Sequence, residues 1–124
     1  MRTLILSCVI TLLSGCALMI GSYDPNEYLL VTKIRTIAET TNCNNPIIVA
    51  NNIETMYMDA LTLKNYSQYL PDNNGEIKLN NDLFKIVDEL HKNDNPSGFY
   101  CKAKLNIVSK TAERIQEVTG SKPR

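Results

Sequence analysis

The side chains of this chain that could carry out chemistry are a single histidine and four cysteines. His91 follows Asp88 by one helical turn, a spacing that could form an acid–base pair. No activated serine or cysteine nucleophile accompanies that pair, and His91 also fits the edge of a helix's apolar face. We therefore interpret His91 as a rim residue, and we expect no enzyme activity, no catalytic residue and no cofactor.

The N-terminal residues have the layout of a secretory signal. Arg2 and the α-amino group are positive, residues 3–13 form an uncharged apolar run of 11 residues, and Ser14-Gly15 precede a cleavage point. The run is shorter than the roughly 20 apolar residues that span a bilayer. Counting residues 17–20 lengthens the apolar stretch to about 18 residues, so an uncleaved membrane anchor is an alternative.

The segment Leu13-Ser14-Gly15-Cys16 resembles the lipobox of bacterial lipoproteins. This resemblance implies that the Cys16 thiol carries a diacylglycerol and that a signal peptidase cuts before it; an ordinary signal peptide is the other interpretation. Ala17 stands where an aspartate would resemble an inner-membrane retention signal, so the resemblance implies the outer membrane of a bacterial cell envelope. Two or more acyl chains would hold the mature protein on that membrane essentially permanently.

Processing would leave two cysteines. Cys8 would be removed with the signal and Cys16 would be lipidated, so we predict a disulfide between Cys43 and Cys101 in a compartment that permits one. Closing a loop of nearly 60 residues would stabilise the fold by roughly 4 kcal/mol in the loop-entropy model. A two-cysteine metal site is the alternative, but His91 is the only histidine and no CxxC spacing occurs, so we expect no metal.

Size and charge restrict the number of domains and the kinds of ligand that we expect. Cleavage before Cys16 leaves 109 residues, enough for one domain, and removal of Arg2 leaves 12 basic against 13 acidic residues. A near-neutral chain without a basic patch argues against nucleic-acid binding.

The predicted organisation is a signal peptide at 1–15, a lipidated N-terminus and tether at 16–23, a helical domain at 24–120 and a frayed basic tail at 121–124. The tether would reach at most roughly 20 Å when extended.

The first predicted helix covers about residues 25–42. It begins at a capping box, in which Asp24 accepts a hydrogen bond from the Glu27 N–H and the Glu27 side chain reaches back. Tyr23 and Tyr28 occupy the hydrophobic staple positions around this start.

Start and stop signals predict three more helices. The second covers about residues 46–69, and the turn signal Pro71–Gly75 follows it. Extended backbone is one interpretation of residues 76–79, with Asn80 or Asn81 capping the third helix. The fourth follows the break at residues 95–98 and places Gly120 at its C′ position.

These elements predict an all-α fold, a small four-helix bundle with up-down-up-down topology. In that topology the end of helix one and the start of helix four meet at one end of the bundle, where Cys43 and Cys101 fall. The sequence thus predicts one disulfide that joins the first helix region to the last.

The expected function is that of a membrane-anchored, non-enzymatic interaction or accessory module, which binds or blocks another envelope protein and contacts the membrane through the lipid on Cys16. The alternative is a lipoprotein that binds a small ligand or peptidoglycan, with Tyr57, Tyr66 and Tyr69 lining a pocket, although core and rim packing is our preferred interpretation of these tyrosines. An exposed apolar patch would favour the first function, and a deep polar pocket the second.

Overall fold

The computed structural model describes residues 21–124, so the predicted signal peptide and the predicted lipid-attachment residue Cys16 lie outside the described residues. Residues 21–124 form four α-helices and no strand, which confirms the predicted all-α class. The helices are α1 (Pro25–Thr40), α2 (Pro46–Ser67), α3 (Asn74–His91) and α4 (Gly98–Gly120). None of these helices is long and apolar enough to cross a membrane.

The four helices pack as a square. Helix α1 contacts α2 and α4, and α3 contacts the same two helices, so α1 and α3 lie on one diagonal. The start of α1 meets the end of α4, where the Tyr23 N–H donates to the Pro123 carbonyl at 2.9 Å. The end of α1 meets the start of α4, where Cys43 is bonded to Cys101. The bundle is therefore antiparallel around the square, with a disulfide end and an opposite end that we call the terminal end.

One stripe of each helix fills the core. Apolar side chains at helical spacings of three and four face inward, as in an amphipathic helix. Burying a side chain of this kind contributes about 1.5–3 kcal/mol, so the stripe drives helix packing. The fully buried apolar side chains are Val31, Ile34, Met56, Leu63, Leu83, Val87, Leu90, Cys101, Val108, Ala112 and Ile115.

The start of α1 follows the predicted capping chemistry, and the start of α2 has the same kind of cap. The Asp24 carboxylate accepts from the N–H groups of Asn26 and Glu27, each at 2.9 Å, and Asn45 caps α2 in the same way. The rings of Tyr23 and Tyr28 pack with centroids 5.9 Å apart, as expected for a staple. The Glu27 side chain does not reach back to the cap; it is fully buried instead. Tertiary partners described below hold it there.

Helix α3 begins earlier than the sequence predicted. It starts at Asn74, so residues 76–79 are helical and Asn80 is a fully buried interior residue rather than an N-cap. Asp72 adopts a left-handed φ of 53° in the preceding turn, a conformation that aspartate tolerates better than most residues. The turn signal was correct, but the turn leads directly into the helix.

The C-terminal residues are not a frayed tail. Helix α4 continues through Gly120, which therefore is not a C′ residue, and Ser121 follows it. Lys122 is only 5% exposed because its side chain turns into the terminal end of the bundle. The last residues thus belong to the folded domain.

Candidate functional site at the disulfide end

The disulfide end is defined by the bond between Cys43, in the α1–α2 loop, and Cys101, in the first turn of α4. The two Cα atoms lie 5.9 Å apart, within the usual range for a disulfide, and the prediction of this pair is confirmed. The bond consumes both thiols in the described part of the chain, so neither is available as a nucleophile or a metal ligand there.

Large apolar side chains are exposed at the same end of the bundle as this bond. Ile47 is 74% exposed and Ile48 is 41% exposed in the first turn of α2, and Phe99 is 85% exposed in the first turn of α4. We call these three residues the apolar end face. The N-caps Asn45 and Ser97, which accept hydrogen bonds from Ile48 and Tyr100, fix the backbone that presents them. Covering an Ile or Phe side chain releases roughly 1.5–3 kcal/mol, so this face can contribute to binding.

A cleft of about 280 Å³ lies on one side of the disulfide, between the start of α2 and the α3–α4 loop. Its wall combines apolar side chains with amides, two carboxylates and one imidazole. The lining residues are Cys43, Pro46, Val49, Ala50, Ile53, Glu54, His91, Asn93, Asp94, Asn95 and Pro96. A second cleft, of about 270 Å³, lies between the α1–α2 corner and α4 and also touches Cys43.

His91 occupies the rim of the first cleft but does not pair with Asp88. Its Nε2 lies 2.7 Å from the Glu54 Oε2 of α2, and its ring stacks on Tyr57 with centroids 4.0 Å apart. Asp88 accepts a hydrogen bond from Lys92 at 2.6 Å, which raises the pKa of Lys92. The candidate Asp88–His91 pair is therefore not formed, and the structure brings a different carboxylate to the imidazole.

The cleft can orient a polar group. Its lining contains no serine or threonine, and its cysteine is part of the disulfide. Within residues 21–124, no group of three or more histidine, cysteine or acidic side chains is arranged to hold a metal ion. The His91–Glu54 pair thus has hydrogen-bonding groups to offer a ligand, but the cleft lining supplies no serine or threonine hydroxyl and no free thiol for the pair to activate.

The three candidate ligand tyrosines do not meet. Tyr57 stacks on His91, while the Tyr66 hydroxyl donates to Asp24 Oδ2 at 2.9 Å. Tyr57 and Tyr66 are nine positions apart along α2, about 13 Å at 1.5 Å per residue. Tyr69 is 87% exposed. No single aromatic platform results, and the alternative of a ligand pocket lined by these three tyrosines is not formed in the described part of the chain.

Buried charged side chains hold the terminal end together. Lys122 Nζ lies 3.2 Å from Glu76 Oε1 and 3.7 Å from Glu27 Oε2, and it donates to Asn73 Oδ1 at 2.7 Å. Glu27 Oε1 accepts from the amides of Asn73 and Asn80 at 3.1 and 2.9 Å. All five side chains are almost fully buried. We call them the buried ion cluster; they hold the start of α1, the start of α3 and the C-terminus together.

Comparison with known proteins returned no match to this chain among protein-family models, curated proteins or solved structures.

Sequence reasoning missed two parts of this site. Ile47 and Phe99 lie off the buried stripes of their helices, 49-53-56-60-63 and 101-105-108-112-115. That phase difference is readable in the sequence and could have identified both as exposed. Glu54 gave no such signal, because its partner His91 is 37 residues away on another helix.

Proposed function

We propose that this protein is a lipid-anchored protein of the bacterial envelope that acts as a non-enzymatic interaction module, binding or blocking another envelope protein. The exposed apolar end face at the disulfide end is the observation that supports this proposal most directly. Single exposed apolar residues are ordinary, but Ile47 and Phe99 lie at the same end of the bundle and are held there by capped helices.

The direction of the anchor supports the same proposal. The lipid on Cys16 would join the domain through residue 21, which lies at the terminal end, because Gly21 packs against the α2–α3 turn. Helix α2 has 22 residues and is therefore about 33 Å long. An anchored bundle would thus present the apolar end face away from its lipid, where an envelope protein can reach it.

The test compares variants of the lipidated protein in cross-linked envelopes. Ile47→Ser combined with Phe99→Ser should abolish a cross-link that the unchanged protein makes. Ile107→Ser is the matched control, since Ile107 is 45% exposed in the middle of α4. The control should retain the cross-link, because it removes an exposed apolar side chain away from the end face. Equal cross-linking by all three proteins would contradict the proposal.

The second candidate is binding of a small ligand or peptidoglycan, and the cleft beside the disulfide favours it. The His91–Glu54 pair and the amides of Asn93 and Asn95 line that cleft with hydrogen-bonding groups. In the same experiment His91→Ala should leave the cross-link nearly intact if the end face is the binding surface. Loss of biological activity with His91→Ala in a folded protein, with the end-face variants active, would favour the ligand site.

A further inference from the structure

Tyrosines concentrate at the terminal end of the bundle. Four of the six tyrosines of the chain are there, namely Tyr23, Tyr28, Tyr66 and Tyr69. The first two pack on each other and Tyr66 donates to Asp24, whereas Tyr69 is 87% exposed. The Tyr69 N–H donates to the Tyr66 carbonyl at 3.2 Å, so its backbone is fixed at the end of α2. An ordered turn therefore projects a large amphipathic ring into its surroundings.

The chain enters the domain against the α2–α3 turn, which also contains Tyr69. Gly21 has a φ of 70°, and a Cβ added there would lie 3.0 Å from the carbonyl oxygen of Asp72. Gly21 thus packs closely against the turn that contains Tyr69, which only glycine does without strain. Five residue steps separate Cys16 from Gly21, a reach of at most about 18 Å when fully extended. A lipid on Cys16 would keep this end of the bundle within that distance of the bilayer.

The turn and the chain termini at this end carry few exposed charges. Lys122, Glu27 and Glu76 point into the buried ion cluster instead of outward. Among the exposed residues outside the helices at this end, one side chain is acidic and one is basic. These residues are Ser22, Gln68, Tyr69, Pro71, Asp72, Ser121, Pro123 and Arg124. A nearly neutral, polar and aromatic surface suits the headgroup layer of a membrane, where tyrosine is enriched because its ring is apolar and its hydroxyl is polar.

We propose that the terminal end is a membrane-contact face, and that Tyr69 inserts its ring into the headgroup layer of the bilayer that holds the lipid anchor. This inference rests on the proposed anchoring at Cys16 and adds a direct contact between protein and phospholipid. It sets the orientation of the bundle: the α2–α3 turn and the C-terminus rest on the membrane, and the apolar end face points away from it. The anchor alone would keep the terminal end near the bilayer but would leave the tilt of the bundle free.

The absence of tryptophan from the sequence provides a clean reporter. Tyr69→Trp introduces a single tryptophan at the proposed contact. Phe99→Trp introduces one at the opposite end of the bundle, and the two replaced side chains are similarly exposed, Phe99 to 85% and Tyr69 to 87%. The full lipidated proteins are reconstituted into vesicles of phosphatidylethanolamine and phosphatidylglycerol. We expect Tyr69→Trp to be blue-shifted and to lose most of its emission when the phospholipid acyl chains are brominated. Phe99→Trp should keep its emission there and be quenched by aqueous acrylamide.

Each other result identifies which proposal fails. Equal acrylamide quenching of both variants, with no effect of brominated lipid, in protein that floats with the vesicles would overturn the membrane contact and leave the anchoring intact. Protection of Tyr69→Trp from both quenchers would mean that protein, such as a second copy of this chain, covers the turn, and would also overturn it. Protein that does not float, with an intact mass that lacks acyl chains, would overturn the anchoring itself and the contact with it.

Discussion

The two ends of the bundle are closed by different kinds of interaction. The disulfide end has a covalent bond between Cys43 and Cys101, and apolar side chains are exposed at the same end. The terminal end has no disulfide among the described residues, and the charged side chains of its buried ion cluster pack with amide partners. A disulfide holds its two residues together even when the surface around it is exposed to solvent. A buried ion cluster, in contrast, is buried only if the surrounding side chains exclude water from it. The two ends should therefore respond differently to the loss of a single side chain.

The comparison predicts that the terminal end is the more sensitive to a single substitution. Lys122→Met removes the cation shared by Glu27 and Glu76, and it should cost about 3–5 kcal/mol because two buried carboxylates lose their counter-charge. Glu27 Oε2 already has no hydrogen-bond donor among the described residues, so nothing nearby compensates. Urea unfolding of the mature protein measures the loss as a shift in midpoint.

Arg124→Met is the matched control for that substitution. The Arg124 guanidinium lies over the Tyr23 ring at 4.6 Å, at an exposed site, so its removal should cost about 0.5–1 kcal/mol. If both variants unfold at the same urea concentration, the buried ion cluster does not hold the terminal end. The double variant Glu27→Gln, Lys122→Met should recover part of the lost free energy of unfolding, because one of the two unpaired buried carboxylates is then removed.

Removal of the disulfide should have the next largest effect. Cys43→Ala combined with Cys101→Ala opens a bond between residues 58 positions apart and should cost about 2–4 kcal/mol, mainly by freeing the unfolded chain. Thermal unfolding should show a lower Tm that reductant does not lower further. A reductant should bring the unchanged protein to a similar Tm.

The two ends lie about 33 Å apart along α2, so their effects should be independent. Lys122→Met combined with the cysteine substitutions should therefore lose the sum of the separate free energies, within about 0.5 kcal/mol. A markedly smaller combined loss would show that the ends are coupled, and the description of two separately closed ends would be wrong.

The sequence predicted local features and missed distant pairings for a physical reason. Asp24 was correctly identified as an N-cap because its partners are two and three residues away. Glu27 was assigned to the same cap, yet it bonds Asn73 and Asn80, which are 46 and 53 positions distant. Local spacing contains no information on which polar residues of different helices meet. The disulfide is the exception, because the predicted processing of Cys8 and Cys16 restricted the choice to one pair.

The same limit explains the errors at the helix boundaries. Asparagine is a common N-cap residue, but the Asn80 amide donates to the buried Glu27 carboxylate. Asn80 therefore lies inside α3, which begins earlier, at Asn74. Lys122 belongs to a basic tail by sequence and to the core of the terminal end by structure. In each case a long-range charge or hydrogen bond overrides the local signal.

The smallest predicted effect concerns an exposed ion pair on the side of the bundle, which contrasts with the buried ion cluster. Glu39 accepts hydrogen bonds from Arg35 Nε at 2.7 Å and from Ser109 Oγ at 2.9 Å, and these, together with the charge of Lys110, lower the pKa of Glu39. A carboxylate whose pKa is lowered by folding stabilises the native state above its ordinary pKa of about 4.3. That contribution is lost as the pH falls through the lowered value.

Arg35→Ala tests this contribution by its pH dependence. The substitution should lower Tm at neutral pH by a small amount, since exposed ion pairs contribute little to stability. It should also reduce the further decrease in Tm between about pH 5 and about pH 3. Lys78→Ala is the control, because Lys78 and Asp82 form a more exposed pair at 3.5 Å. An Arg35→Ala profile that is parallel to that of the unchanged protein over this range would show that Arg35 does not set the titration of Glu39. A drop as large as that of Lys122→Met would show that the exposed side of the bundle depends on charge as much as the terminal end does.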